Sequence, residues 1–252
     1  MYIFMFILGS VIGSFICVYV NRSINKESII KPRSHCDMCG KSLKPYDMIP
    51  IVSFIILKGK CRYCHKKIDR WAFFAELILG LLFVISYHIY GLSANMFIGL
   101  TLSCILLSIS ISDFKYMEVL DTTISIGIIL LIIFVYFRGG IGEWYSSFLQ
   151  GVFGFVLMFL IKTFGDLVFK RESLGGGDIK FAFLMGYVLP FQEFLIALVL
   201  GSTLALPYAF YITNKKDSNG ELPFGPFLAL GLLIVFLFQN DIIILISKMM
   251  SV

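Results

Sequence analysis

The sequence predicts an all-α protein, a polytopic bundle of about eight transmembrane helices with one small polar loop domain after the first. Three observations predict it. Of 252 residues, 58% are hydrophobic and only 15% are charged, where a soluble domain carries about 25%. Mean hydropathy is +0.90, and 26 Phe with long Ile/Leu/Val runs leave too little polar surface to cover them. The runs reach roughly 18 residues or more without alternating, which marks spanning helices and not the short alternating strands of a β-barrel.

Each element follows from its local pattern. Residues 2–20 read as a first span with its N terminus outside. No basic residue precedes Arg22 and no small-residue cleavage site follows, so the run is an anchor and not a cleaved signal peptide. Residues 21–70 form a polar, basic loop holding four of the six cysteines. Residues 71–90 and 94–112 are two further spans joined by the turn Gly91–Ser93, and "DFKYMEVLD" at 113–121 is a polar loop. A short span at 122–137, a glycine-rich turn "RGGIGEW" at 138–144 and a span at 145–166 follow, then a loop at 167–178. Residues 179–212 are too few for two full spans, which need about 40. They read as two short spans meeting at Pro190, or as one partly re-entrant. A polar stretch "TNKKDSNGEL" at 213–222 leads to the last span, 224–247. The domains expected are thus span 1–20, loop 21–70 and membrane bundle 71–252.

The net charge is +5, and 12 of the 21 Lys and Arg fall within 21–71. Retention of basic loops on the cytoplasmic side explains that bias, so nucleic acid is not an expected partner; the lipid bilayer is. Eight spans put the loops 21–70, 113–121, 167–178 and 213–222 on this side. Asp113 and Asp178 then share one membrane face.

"CDMC" at 36–39 and "CRYC" at 61–64 are separated by 21 residues. Each pair can give two thiolates, and Cys36, Cys39, Cys61 and Cys64 together complete a tetrahedral zinc site that would staple a loop too small for its own core. Four thiolates leave no open position, so the zinc would be structural. Gly40 suits the tight turn after the first pair. Disulfides are disfavoured in a cytoplasmic loop, and no βαβ pattern supports a thioredoxin-like use. His35 and His65 read as solvated neighbours, Cys17 and Cys104 as small packing residues, and His88 as structural with no evident partner.

"LGGGDIK" at 174–180 places Asp178 at the lip of a span, and Asp113 directly follows "CILLSISIS". Either acid alone is explained by helix capping. Two acids at one membrane face suggest more, because ionisable residues there are rare and functional by default. A facing pair shares a proton, so one carboxylate can act as base on water while the other donates to a carbonyl. Gly175, Gly176 and Gly177 would allow positive φ or close approach of a substrate strand. Lys180 would modulate the acid, steady the loop, or simply anchor the helix inside. No GxGxxG unit or P-loop is present.

The elements "GSFICVYVNR" (13–22), "SHCDMCGKSLKPYDMIPIVSFIILKGKCRYCHKKI" (34–68), "AELILG" (75–80), "SDFKYMEVLD" (112–121), "GGGDIK" (175–180) and "PFGPFLALG" (223–231) together resemble the prepilin leader peptidases, the GxGD-type aspartic proteases of pilus, secretion and competence systems. The resemblance implies that Asp113 and Asp178 are the catalytic pair and that the four cysteines are the metal-loop residues. It implies prepilin or pseudopilin substrates, cut after a leader Gly at the cytoplasmic face of the bacterial inner membrane. It further implies N-methylation of the new N terminus with S-adenosylmethionine, for which Glu76 and the N-terminal glycines are contributors by position only. Leu120 stands before Asp121 where the family commonly has Pro. Two rivals compete: a membrane thiol oxidoreductase using the CxxC pairs, and a non-enzymatic transporter using the rim acids. No oligomeric state follows from the sequence.

Overall fold

The computed structural model describes residues 1–36, 38–170, 174–214 and 222–250. The chain divides into two compact units, Met1–Leu92 and Ser93–Val252. Among the described residues no strand forms beyond two isolated β-bridges. Among the described residues, five helices are long and apolar enough to cross a membrane.

In the first unit, α1 (Tyr2–Ile24) packs on α3 (Arg70–Tyr90). Small residues make the contact. A Cβ on Gly9 would lie 2.6 Å from the Leu79 carbonyl, and one on Gly13 2.7 Å from that of Ala75. Close backbone approach at small residues is how helices associate where lipid offers no hydrophobic drive. Arg22 ends the span as expected, its guanidinium donating to the Ser28 and Ile29 carbonyls. His88 does have a partner, contrary to expectation: its Nδ1 lies 3.3 Å from the Tyr2 hydroxyl. The loop read as polar and basic contains a short apolar helix, α2 (Val52–Ile56).

In the second unit, α4 (Ala94–Tyr116) opens with a Ser93 cap that accepts from the Met96 N–H. It runs four residues past the expected boundary, so Asp113 lies in its last turn and does not begin a loop. α5 (Asp121–Phe169) is a 49-residue helix interrupted by non-helical backbone at Gly139 and Gly140. At about 1.5 Å per residue its length is more than twice the roughly 30 Å of a hydrocarbon core, so the break divides two spans. The expected seven-residue turn shrinks to two glycines, with Arg138 paired to Glu143 beside them. α6 (Gly176–Val188) and α7 (Phe191–Thr213) meet at Pro190, as expected. The expected last span is broken at Phe238 into α8 (Gly225–Leu237) and α9 (Gln239–Met250). α6 and α8, with 13 residues each, rise only about 20 Å, short of a full crossing. Most of "TNKKDSNGEL" and Arg171–Ser173 lie outside the described residues.

α5 packs on α6 and α7 on α8, again through small residues: a Cβ on Gly154 would meet the Ala182 carbonyl at 2.6 Å. The centre is filled by Leu184, Met185, Ala182, Leu228, Val235 and Phe236, all fully buried. Gly154→Leu is expected to lower stability by about 1–3 kcal/mol through overpacking, whereas Gly142, which meets nothing within 4 Å, should accept Leu without that loss; thermal unfolding in detergent compares the two.

Candidate active site

The site begins with helix ends. α4 finishes where α5, α6 and α8 start, and three contacts hold these ends together. Gly177 packs against Val119, where a Cβ would come within 2.9 Å. Lys180 donates to both oxygens of Asp121 at 2.7 Å. The Gly225 N–H donates to Asp113 Oδ2 at 3.2 Å.

The result is a facing pair of acids. A Cβ on Gly225 would lie 3.2 Å from Asp113 Oδ2 and 3.7 Å from Asp178 Oδ1. The two carboxylate oxygens are therefore no farther apart than the sum of these distances, although 64 residues separate them in sequence. Asp113 is 7% exposed and Asp178 8%. Capping does not explain Asp113: it sits in the last turn of its own helix, where the dipole opposes a negative charge. Its compensation comes from outside, through the first N–H of α8. Asp178 lies in the first turn of α6, near Gly175. Two positive helix ends thus aim at one acidic pair, an arrangement that offsets part of the cost of burying like charges.

The glycines act otherwise than expected. Gly175 has φ −69°, and Gly176 and Gly177 are helical. None uses the left-handed region; Gly177 serves close approach to Val119. Lys180 does not reach Asp178. It steadies the loop through Asp121, the residue that opens α5 after Leu120. Sequence reading missed Gly225 as a site residue, although it stands in the quoted "PFGPFLALG". Its signal was the Gly-Pro pair at a helix start, where only a residue without Cβ fits beneath two carboxylates.

The cysteine loop forms a second cluster. The Sγ atoms of Cys36, Cys39, Cys61 and Cys64 lie within 4.8 Å of one another, and Cys36 and Cys64 are 3.9 Å apart. All four are free thiols. A tetrahedral ion with bonds of about 2.3 Å separates its ligands by about 3.8 Å, so the donor set fits a metal. The two knuckles repeat one turn. Cys36 N–H donates to Lys41 O and Gly40 N–H to Cys36 O; Cys61 N–H donates to Lys66 O and His65 N–H to Cys61 O. The fifth residue of each turn has positive φ, 68° at Gly40 and 56° at His65. His65 is thus a turn residue, and neither it nor His35 joins the cluster. Backbone N–H groups of Cys64 and Tyr63 lower the Cys61 thiol to about 7, while Cys64, despite the Lys66 N–H, is pushed up to about 11 by burial and the neighbouring thiols. Asp47 braces the knuckles: burial opposes its charge, yet Arg62 at 2.6 Å and the Lys44 N–H hold its carboxyl below the usual range.

Buried paired acids at converging helix ends and a four-thiol cluster, in a chain with several helices long and apolar enough to cross a membrane, mark a membrane protein with two candidate sites. Comparison with known proteins makes this specific. Residues 7–90 match the bacterial peptidase A24 N-terminal domain, and residues 100–210 match the type IV leader peptidase family. The chain is 29% identical to a prepilin leader peptidase/N-methyltransferase of Bacillus subtilis over 97% of both chains. It is 30% identical to one of Vibrio cholerae over 91% of this chain and 94% of the other. It is also 30% identical to a type 4 prepilin-like proteins leader peptide-processing enzyme of Escherichia coli, over 82% and 76%. The chain belongs to the type IV leader peptidase family. No solved structure matches it.

Gly225→Val would place carbon 2.9 Å from Ile109 and 3.2 Å from Asp113 Oδ2. A displacement of about 1 Å at a reacting group costs on the order of 10²-fold in rate. The expected outcome is a protein that inserts normally but whose leader cleavage falls by about that factor, read by substrate mass.

Proposed function

We propose that Asp113 and Asp178 are the catalytic dyad of this leader peptidase, and that its substrates are prepilins or pseudopilins cut after the leader Gly. The observation that carries the reading is the convergence of both carboxylates on Gly225. One carboxylate takes a proton from water as its oxygen attacks the scissile carbonyl. The other donates its proton to the carbonyl oxygen. Collapse of the tetrahedral species breaks the C–N bond, and the amine leaves with a proton returned by the dyad. The Gly225 N–H fixes Asp113, and the exposed Gly175 and Gly176 leave room for an extended leader beside Asp178.

The reading assigns the bundle with both aspartates to peptide cleavage and loop 21–70 to a methyltransfer-associated role. It places the cysteine loop and the dyad on the cytoplasmic side of the bacterial inner membrane, which the bias of basic residues toward 21–71 supports. Zinc is the metal that four thiolates select, and with no open position it holds the loop rather than reacting. The relatives' names join the peptidase to an N-methyltransferase. On the resemblance, S-adenosylmethionine supplies an electrophilic methyl group to the new N-terminal amine. The contributors suggested by position do not form an open site for that donor: Glu76 already binds the Ile51 N–H at 2.7 Å, and Gly9 and Gly13 are covered by α3.

Asp113→Asn and Asp178→Asn should each reduce cleavage of a prepilin-type substrate by at least about 10²–10⁴-fold while leaving insertion intact. The wild-type pH–rate profile should be bell-shaped, with both limbs belonging to the pair. Full activity in either variant would sink the dyad. Metal analysis of the purified protein should find zinc, and Cys61→Ser should lose it and make the loop sensitive to protease. Thiol–disulfide exchange activity that is lost in the cysteine variant and kept in both Asn variants, with no peptide cut in any, would instead favour the thiol oxidoreductase.

A further inference from the structure

Residues 49–57, "IPIVSFIIL", interrupt the basic loop, and none of the roles assigned above uses them. Val52, Ile55 and Ile56 of α2 are 48%, 60% and 68% exposed, with Ile49 beside them at 47%. Such a cluster of aliphatic side chains is costly to hold in water.

Its depth can be read from the α1–α3 pair. The helices run antiparallel, with Tyr2 bonded to His88, Gly9 against Leu79 and Gly80, and Gly13 against Ala75 and Glu76. Glu76 is therefore level with Gly13, nine residues before Arg22, or roughly 13 Å along α1 at 1.5 Å per residue. Its side chain leans toward the N terminus of α3, the end near Arg22, but stays below that level. The Ile51 N–H donates to Glu76 Oε2 at 2.7 Å, and Phe54 stacks on Phe73 with centroids 4.7 Å apart. α2 thus hangs beside the second turn of α3, in the layer where the outer surface of a spanning pair meets acyl chains.

Most backbone N–H groups of the segment are satisfied as that layer demands. In hydrocarbon every backbone polar group needs a protein partner. The N–H groups of Val52, Ser53, Ile55 and of Leu57 through Lys60 all donate to carbonyls within the segment. Pro50 has none. Ile51 has no helical partner, holds φ +63°, and is the one that Glu76 accepts. A buried acid in a span, with no cation within salt-bridge distance among the described residues, thereby gains a reason. Lys58 and Lys60 follow at once and are exposed, so cations stand where the segment turns back toward the membrane surface.

We propose that residues 49–57 form a re-entrant foot that inserts α2 into the bilayer, with Lys58 and Lys60 at anionic phosphate headgroups and Glu76 as the positioning residue that latches the foot to α3. The test uses the full chain in vesicles of phosphatidylcholine and phosphatidylglycerol, with and without acyl-brominated lipid. Ile56→Trp is compared with the parent, whose own Trp71 and Trp144 give the background. The added fluorescence should be blue-shifted and quenched by bromine, and a further Glu76→Gln change should weaken the quenching. Red-shifted, unquenched emission would overturn the proposal by placing the segment in water. Emission that is red-shifted and unquenched until a prepilin-type peptide is added, and blue-shifts only then, would overturn it too, because the segment would then be a seat for the substrate stem. Neither outcome depends on catalytic activity, so the inference can fail while the peptidase reading stands.

Discussion

Burial of two like-charged groups at one point is the constraint around which the second unit is arranged. Asp113 and Asp178 are each over nine-tenths buried, and carboxylates in such a place need donors or each other's proton. The bundle supplies donors by stopping helices short. α6 and α8 begin at the pair and turn their positive ends toward it, and both are too short to span. Their brevity is therefore part of the site. The Gly225 N–H that binds Asp113 is free to do so because it belongs to the first residue of α8, where no helical carbonyl claims it.

The same logic of satisfied polar groups recurs in the first unit at a different cost. Glu76 lies in a span, and its partners are the Ile51 N–H and the Ser14 side chain, not a cation. Ile51 is held in a conformation that β-branched residues avoid, and the bond to Glu76 offsets that strain. The four-thiol cluster is the third case. Its two knuckles are the same turn made twice, and a metal would tie together a segment that has few buried apolar residues of its own.

Packing through glycine lets these arrangements exist. At Gly13, Gly154 and Gly231 one helix lies against the backbone of another, so helix ends can be set by contact and not by long side chains. At Gly177 and Gly225 the same property works at the site itself. A side chain at either place would push α6 from Val119, or enter the space between the two acids.

Much of this was legible in the sequence, for a simple reason. Hydropathy over 18 or more residues has few physical solutions, so membrane class and most span limits followed directly. Two CxxC pairs at this spacing have few uses, and the cluster they predicted formed. Asp113 and Asp178 stood out because acids at a membrane rim are rare. Other features depended on contacts between residues distant in the chain. Lys180 pairs with Asp121 and not with the nearer Asp178; no spacing rule distinguishes these, since Asp121 stands 59 positions away in the sequence. Gly225 joined the site only when α8 met α4. The apolar helix at 52–56 was hidden within a basic loop, because five residues carry too short a period to read. Sequence determined what each segment could tolerate, which is a matter of local burial and charge. Tertiary structure decided which helix ends met, because that depends on close approach at glycines far apart in the chain.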